Sequence, residues 1–287
     1  MTEFRYRLLN VFAREERLSG NPLCVFEIGQ GLDDTTMQAL ARQFNLSETT
    51  FILPSSAATA RVRIFTPSYE MPFAGHPTLG TAHVVRSLKG GGDGVTLEMK
   101  AGIIPVNASG DRWTLAANPR RYREVSQARG ELAQMLGLQP DDIAERPLWV
   151  NAGKEQLMVP LASREAVLRA RPHPDSFTRL KSEDGHSMAY VFHDAGEPAR
   201  AVEARFFFPS AGAILEDPAT GSACANLGGW FRALHPGTQF DRRVSQGESV
   251  GRPSTLFLSV GPASAMDEER IYVGGNVVEL GQGSVRL

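Results

Sequence analysis

Cysteine is nearly absent from this chain, long apolar runs are missing, and neither sign of charge dominates. Cys24 and Cys224 are the only thiols among 287 residues and lack metal-ligand spacing. A disulfide framework is thereby excluded, and two buried free thiols in a reducing compartment are expected. No apolar stretch reaches the roughly 20 residues of a membrane-spanning helix. The start, Met1-Thr2-Glu3-Phe4-Arg5, lacks a signal-peptide core, so a cytoplasmic protein with no membrane partner is expected. A net charge of −2 supplies no general attraction for nucleic acid. The one basic cluster, Arg120, Arg121 and Arg123, reads as a surface connector. None of the six histidines falls into a His-Glu-x-x-His pattern, and no metal is expected. Gly-x-Ser-x-Gly is missing too, which leaves a hydrolase nucleophile without support. Gly90-Gly91-Gly92-Asp93-Gly94 lacks the lysine of a phosphate-binding loop and reads as a flexible connector.

What the chain does contain is one stretch written twice. Arg63-Ile64-Phe65-Thr66-Pro67-Ser68 and Arg205-Phe206-Phe207-Phe208-Pro209-Ser210 share the pattern Arg-x-Phe-x-Pro-Ser. Downstream, Glu70-Met71-Pro72-Phe73-Ala74-Gly75-His76 corresponds to Glu216-Asp217-Pro218-Ala219-Thr220-Gly221-Ser222. Apolar runs at helical spacing follow both. The offset is 142 residues before the turn and 146 after it, so the second copy carries four extra residues, expected in the turn. The pattern predicts an internal duplication of a strand–turn–helix unit. Two such halves about a pseudo-two-fold axis would aim two helix N-termini at one cleft, whose free N–H groups favour a carboxylate. The copies differ at Met71 against Asp217 and at His76 against Ser222. A structural repeat has no need of that asymmetry, whereas an asymmetric substrate does.

Strands are predicted at 6–11 and 23–26, then a helix capped by Asp33 or Asp34 that buries Met37, Leu40, Ala41 and Phe44. Further strands are expected at 95–99, 103–106 and 113–115, with 118–121 as the linker between halves. The second half is read as a short helix at 131–136, strands at 148–150 and 156–159, a helix at 163–170 and a strand at 188–193. The tail is read as three strands, 255–260, 270–273 and 276–280. The first half is expected to span 1–118, completed by a strand at about 275–287, and the second 119–274.

His76, between Gly75 and Pro77, is expected to occupy a helix cap with Pro77 at the first helical position. His83, seven residues on, reads as core. Taken alone, Glu48 is a solvated carboxylate at a strand entry, and Asp217 a turn former before Pro218.

Together these blocks resemble the phenazine biosynthesis-like (PhzF) family. The resemblance rests on Ile64-Phe65-Thr66-Pro67, on Pro72-Phe73-Ala74-Gly75-His76-Pro77-Thr78-Leu79-Gly80 and on the stretch from Glu216 through Ala223. Asn45-Leu46-Ser47-Glu48-Thr49-Thr50-Phe51 adds a further block, and Gln246-Gly247 with Gly251-Arg252-Pro253-Ser254 a weaker one. It implies an α/β (α+β) fold like that of diaminopimelate epimerase, two pseudo-symmetric halves each wrapping a curved, mostly antiparallel sheet around a central helix, with the active site between them. It implies a homodimer acting on a small carboxylated molecule with no cofactor and no metal. Glu48 falls on the family's catalytic carboxylate, which moves a proton between carbons. His76, Asp217 and Ser222 fall on the other polar positions of the site, and Gly75, Thr220 and Gly221 on the turns that bind substrate. In the phenazine enzyme that substrate is trans-2,3-dihydro-3-hydroxyanthranilate.

Two alternatives stand beside this isomerase. One is an amino-acid racemase or epimerase using Glu48 and Asp217; a two-thiol version is poorly served, since Cys224 lies beyond Ser222 and its counterpart is Thr78. The other is a binding protein that keeps the cleft without turnover.

Overall fold

The duplication extends from the sequence to the strand pairings. The computed structural model describes residues 1–117, 121–144, 146–210, 212–261 and 270–287. Its elements begin with β1 (Glu3–Ala13), β2 (Asn21–Phe26), α1 (Asp34–Phe44), β3 (Thr49–Leu53), β4 (Ala60–Phe65) and β5 (Glu70–Met71). There follow α2 (Gly75–Lys89), β6 (Gly94–Met99), β7 (Gly102–Ser109), β8 (Arg112–Ala116), β9 (Arg121–Glu124) and α3 (Arg129–Met135). Next come β10 (Leu148–Asn151), β11 (Glu155–Pro160), α4 (Arg164–Arg169), α5 (Pro174–Phe177), β12 (Ala189–Asp194) and β13 (Ala201–Ser210). The last are β14 (Ala213–Asp217), α6 (Gly221–Leu234), β15 (Phe240–Gln246), β16 (Ser254–Val260) and β17 (Ile271–Arg286).

Two compact units result, Met1–Ala116 with Gly274–Leu287, and Ala117–Val273. In the first, β1 runs antiparallel to β2, β2 parallel to β3, and β3 antiparallel to β4. β4 then pairs antiparallel with β5 and parallel with β6, which is antiparallel to β7. The second unit repeats this order from β10 through β16, with β14 as the short hairpin arm and a parallel β13–β15 pair. In the first unit β7, β8 and β17 lead back to β1 and close the sheet around α2. A helix ringed by strands has little use for a polar face, and residues 76–82, 84 and 85 of α2 are all buried. α6 packs against β9, β10, β11, β15 and β16 of its own unit, with residues 223–232 buried.

Local chemistry explains most boundaries. Asp33 caps α1 by accepting the Thr36 N–H at 2.8 Å, and the helix stops where Asn45 takes a left-handed φ of 52°. The four extra residues of the second repeat lengthen a hairpin instead of the turn: β14 has five residues where β5 has two, paired with β13 as far as Ser210 and Ala213. The tail also departs from expectation, because 270–273 and 276–280 belong to one strand, β17. Glycine there serves close approach; a Cβ on Gly274 would lie 2.6 Å from the Trp113 carbonyl oxygen of β8. β15 escaped the sequence reading because two of its inward residues are polar, Arg242 and Gln246, which hides the alternation. The short α5 was likewise unexpected in a proline-rich stretch. Residues 118–120 of the expected linker lie outside the described residues. Arg121 opens β9, and Arg123 makes two 2.9 Å bonds to Glu155.

Candidate active site

The residues singled out in the sequence fall into two sets, one in each unit. In the first, Glu48 stands just before β3, three residues after Asn45, the left-handed stop of α1. His76 is the second residue of α2; the cap is Ala74, and Pro77 stands third. The expected cap position is thus corrected by two residues, because the extended backbone persists through Ala74 (φ −151°, ψ 141°). Nε2 of His76 lies 3.3 Å from Oε2 of Glu48, with the two side chains 8 % and 15 % exposed. Burial drives the imidazole pKa down to about 3, opposed by a hydrogen bond to the Pro22 backbone, so the ring is neutral at physiological pH.

A neutral imidazole carries a single N–H. Nε2 is not the nitrogen bonded to Pro22, so Nδ1 donates to that carbonyl. Nε2 is then an acceptor, and a proton arriving on Glu48 meets a lone pair facing it. Leu23, next to Pro22, pairs with Leu9 of β1, which fixes the carbonyl in the sheet.

In the second unit, Asp217 ends β14 opposite Phe206. The Thr220 hydroxyl donates to Asp217 Oδ2 at 2.5 Å and accepts from Gln246 Nε2 at 3.0 Å. Gln246 also donates to the Asp217 carbonyl at 2.8 Å, so one amide ties both residues. Gly247 lets the strand turn there: its φ is 84°, and a Cβ would fall 2.4 Å from the Pro218 carbonyl oxygen. Ser222 is the second residue of α6, the place His76 holds in α2, and its Oγ accepts from Gln156 Nε2 at 3.0 Å.

Both helices start without a side-chain cap, after Ala74 and after Thr220, whereas Asp33 and Ser163 cap α1 and α4. Thr220 is a residue type that caps well, but its hydroxyl is engaged by Asp217. Among the described residues no side chain caps the first-turn N–H groups of Gly75 and His76, or of Gly221 and Ser222, and N–H groups at such a helix start have the geometry to hold an anion. The repeated arginine supports each turn from behind: Arg63 grips Glu70 with two bonds, and Arg205 grips Glu216 with three. Cys24 and Cys224 are buried free thiols pushed up by desolvation, which leaves them protonated and inert.

The model of the phenazine biosynthesis-like (PhzC-PhzF) family matches residues 9–283. The chain belongs to that family. An isomerase of Pasteurella multocida, described as uncharacterized, is 38 % identical, the match covering 99 % of this chain and 95 % of that one. The trans-2,3-dihydro-3-hydroxyanthranilate isomerase of Pseudomonas chlororaphis is 34 % identical, over 98 % of this chain and 99 % of that enzyme. Among solved structures, a PhzF-family phenazine biosynthesis protein of Bacillus anthracis superposes with a TM-score of 0.88 at 22 % identity, over 100 % of both chains. The fold is the diaminopimelate epimerase-like one, and the protein is an isomerase of the PhzF family. No helix among the described residues is long and apolar enough to cross a membrane.

Of the polar residues around the second set, Gln156 and Asn226 went unread in the sequence. Asn226 is a lone amide inside an apolar run and Gln156 follows the charged pair Lys154-Glu155 at a strand start, and only the bonds they make distinguish them from chance polar residues.

Proposed function

We propose that this PhzF-family isomerase moves a proton between two carbons of a small carboxylated substrate, with Glu48 as acid and base and no cofactor. The observation that carries the reading is the half-buried carboxyl of Glu48 facing a neutral His76 at 3.3 Å. In the first step the Glu48 carboxylate takes a proton from carbon, and the C–H electron pair enters the substrate's conjugated system. In the second, the same carboxyl returns the proton to another carbon as the double bond shifts. His76 accepts a hydrogen bond from the protonated carboxyl and holds it between the steps. Uncapped N–H groups at the tip of α2 suit a carboxylate, and α6 offers a tip of like construction, with Asp217 and Ser222 beside it. Two buried thiols support a reducing, cytoplasmic setting.

The substrate to try first is trans-2,3-dihydro-3-hydroxyanthranilate, on which the relative from Pseudomonas chlororaphis is named to act. Where the protonated Glu48 carboxyl exchanges with solvent between the two steps, turnover in deuterium oxide should place deuterium on the product carbon. Glu48→Gln should lower the rate by about a hundred- to ten-thousand-fold while the thermal melt stays in place. Unchanged exchange in that variant refutes the role of Glu48. D- and L-amino acids that interconvert under the same conditions would point to a racemase instead.

A further inference from the structure

Asn226 lies on α6, fully buried, and its side-chain amide is fixed at both ends. Its Oδ1 accepts the Ala152 backbone N–H at 2.7 Å, and its Nδ2 donates to the Lys154 carbonyl at 2.9 Å. A backbone N–H only donates and a carbonyl only accepts, so this amide has a single orientation. The second hydrogen on Nδ2 goes to Gln156 Oε1 at 2.8 Å. Gln156, itself 1 % exposed, must then present its oxygen to Asn226 and its nitrogen to Ser222, where Nε2 and Oγ are 3.0 Å apart. The Ser222 oxygen is thereby committed as an acceptor. Its one hydrogen has no other assigned partner among the described residues.

We propose that Gln156 is a positioning residue that keeps Ser222 a hydrogen-bond donor toward an acceptor oxygen of the bound substrate. The proposal rests on the functional reading above and deepens it. A carboxylate or enolate oxygen only accepts, so a serine that met it with a lone pair would repel it. A hydroxyl on its own can rotate to either role; the amide chain from Ala152 through Asn226 and Gln156 occupies one lone pair of Ser222 and directs its hydrogen away from Gln156.

The test is Gln156→Glu, of nearly the same shape but with a terminal group that accepts when ionised. It captures the Ser222 hydrogen and reverses the polarity of the hydroxyl. With trans-2,3-dihydro-3-hydroxyanthranilate as the probe, kcat/KM should fall by about ten- to a hundredfold, as for one hydrogen bond to a charged group. The loss should shrink at acid pH, where the introduced carboxyl is protonated and donates again; a packing defect has no reason to show that recovery. In a Ser222→Ala background the substitution at 156 should add nothing further. Losses that multiply, or a kcat/KM unchanged by Gln156→Glu, overturn the proposal. Ser222→Ala also guards against a fold disturbed by the new charge, because it is read in the free protein: the side-chain amide resonances of Gln156 should shift. If the wild type ignores this substrate, the functional reading fails on that compound, and the amide resonances still decide. Resonances that stay put overturn the proposal.

Discussion

The guanidinium of Arg205 and the carboxylate of Glu216 form a bidentate pair, 2.7 Å at its shortest, with side chains only 6 % and 7 % exposed. One guanidinium nitrogen also donates to the carbonyls of Val167, Leu168 and Ala170, so the strand that ends in Asp217 is anchored to α4 and the residue after it. Arg205→Met leaves a buried carboxylate without its cation and should destabilise the protein by about 3–5 kcal/mol in urea unfolding. Arg63→Met removes the homologous pair, but Arg63 is 15 % exposed and also reaches the open carboxylate of Asp34. Its loss should be clearly smaller. Equal losses would show that burial does not set the energy of this repeated pair.

His76 supplies the pH prediction. Its folded-state pKa, about 3, lies below the ordinary value of 6.5, so in that window the unfolded chain binds a proton that the native ring refuses. Its contribution to stability is complete above pH 6.5 and is lost as the pH falls toward 3, at up to about 1.4 kcal/mol per pH unit. Urea midpoints at several pH values should fall less steeply for His76→Asn than for the wild type. Parallel curves would mean that the imidazole ionises freely in the native protein.

Two glycines separate backbone strain from site geometry. Gly237 has a φ of 81° with open space around it, so Gly237→Ala should cost about 1–2 kcal/mol and leave turnover intact. Gly247 has nearly the same φ, but a new Cβ there meets carbonyl oxygens of Arg252 and Pro218 at 2.3 and 2.4 Å. Gly247→Ala should cost more and lower kcat as well, since it displaces the turn in which Gln246 holds Asp217 and Thr220. Equal effects on turnover would detach Gln246 from the site.

Thiol chemistry is checked directly. Cys24→Ala and Cys224→Ala, and treatment of the native protein with N-ethylmaleimide, should all leave isomerase turnover within about twofold, because both thiols are buried and protonated. Inactivation by the reagent at one equivalent would restore a cysteine mechanism.

The sequence carried the parts of this molecule that depend on neighbours along the chain. The buried stripe of α1, its cap at Asp33 and its stop at Asn45 are legible because each is a local choice. The twin turns could be aligned to the residue, and so could Arg63 with Arg205 and Glu70 with Glu216. What stayed hidden was decided by contacts distant in sequence. Gly274 reads as a break and is a point of contact with β8, so two expected strands are one. Arg242, of a residue type that is mostly exposed, is buried against Asp194, which disguised β15. Gln156 lies 66 residues from Ser222, and no spacing rule joins them. The Pro22 carbonyl, which sets the tautomer of His76, belongs to the backbone and leaves no trace in residue type at all.

The long strand β17 has a consequence for how the molecule is made. Its partner β1 pairs with it from Glu3 opposite Arg286 to Ala13 opposite Asn276, so β1 waits for a strand that leaves the ribosome after β2 through β16. Residues 117–273 contain the pairings from β9–β10 through β15–β16 and emerge before that partner does. Vectorial synthesis therefore reverses the written order: the unit that comes second in the chain is the first able to fold. Until then β1 presents an unsatisfied edge, the stage at which a nascent chain has most need of a chaperone.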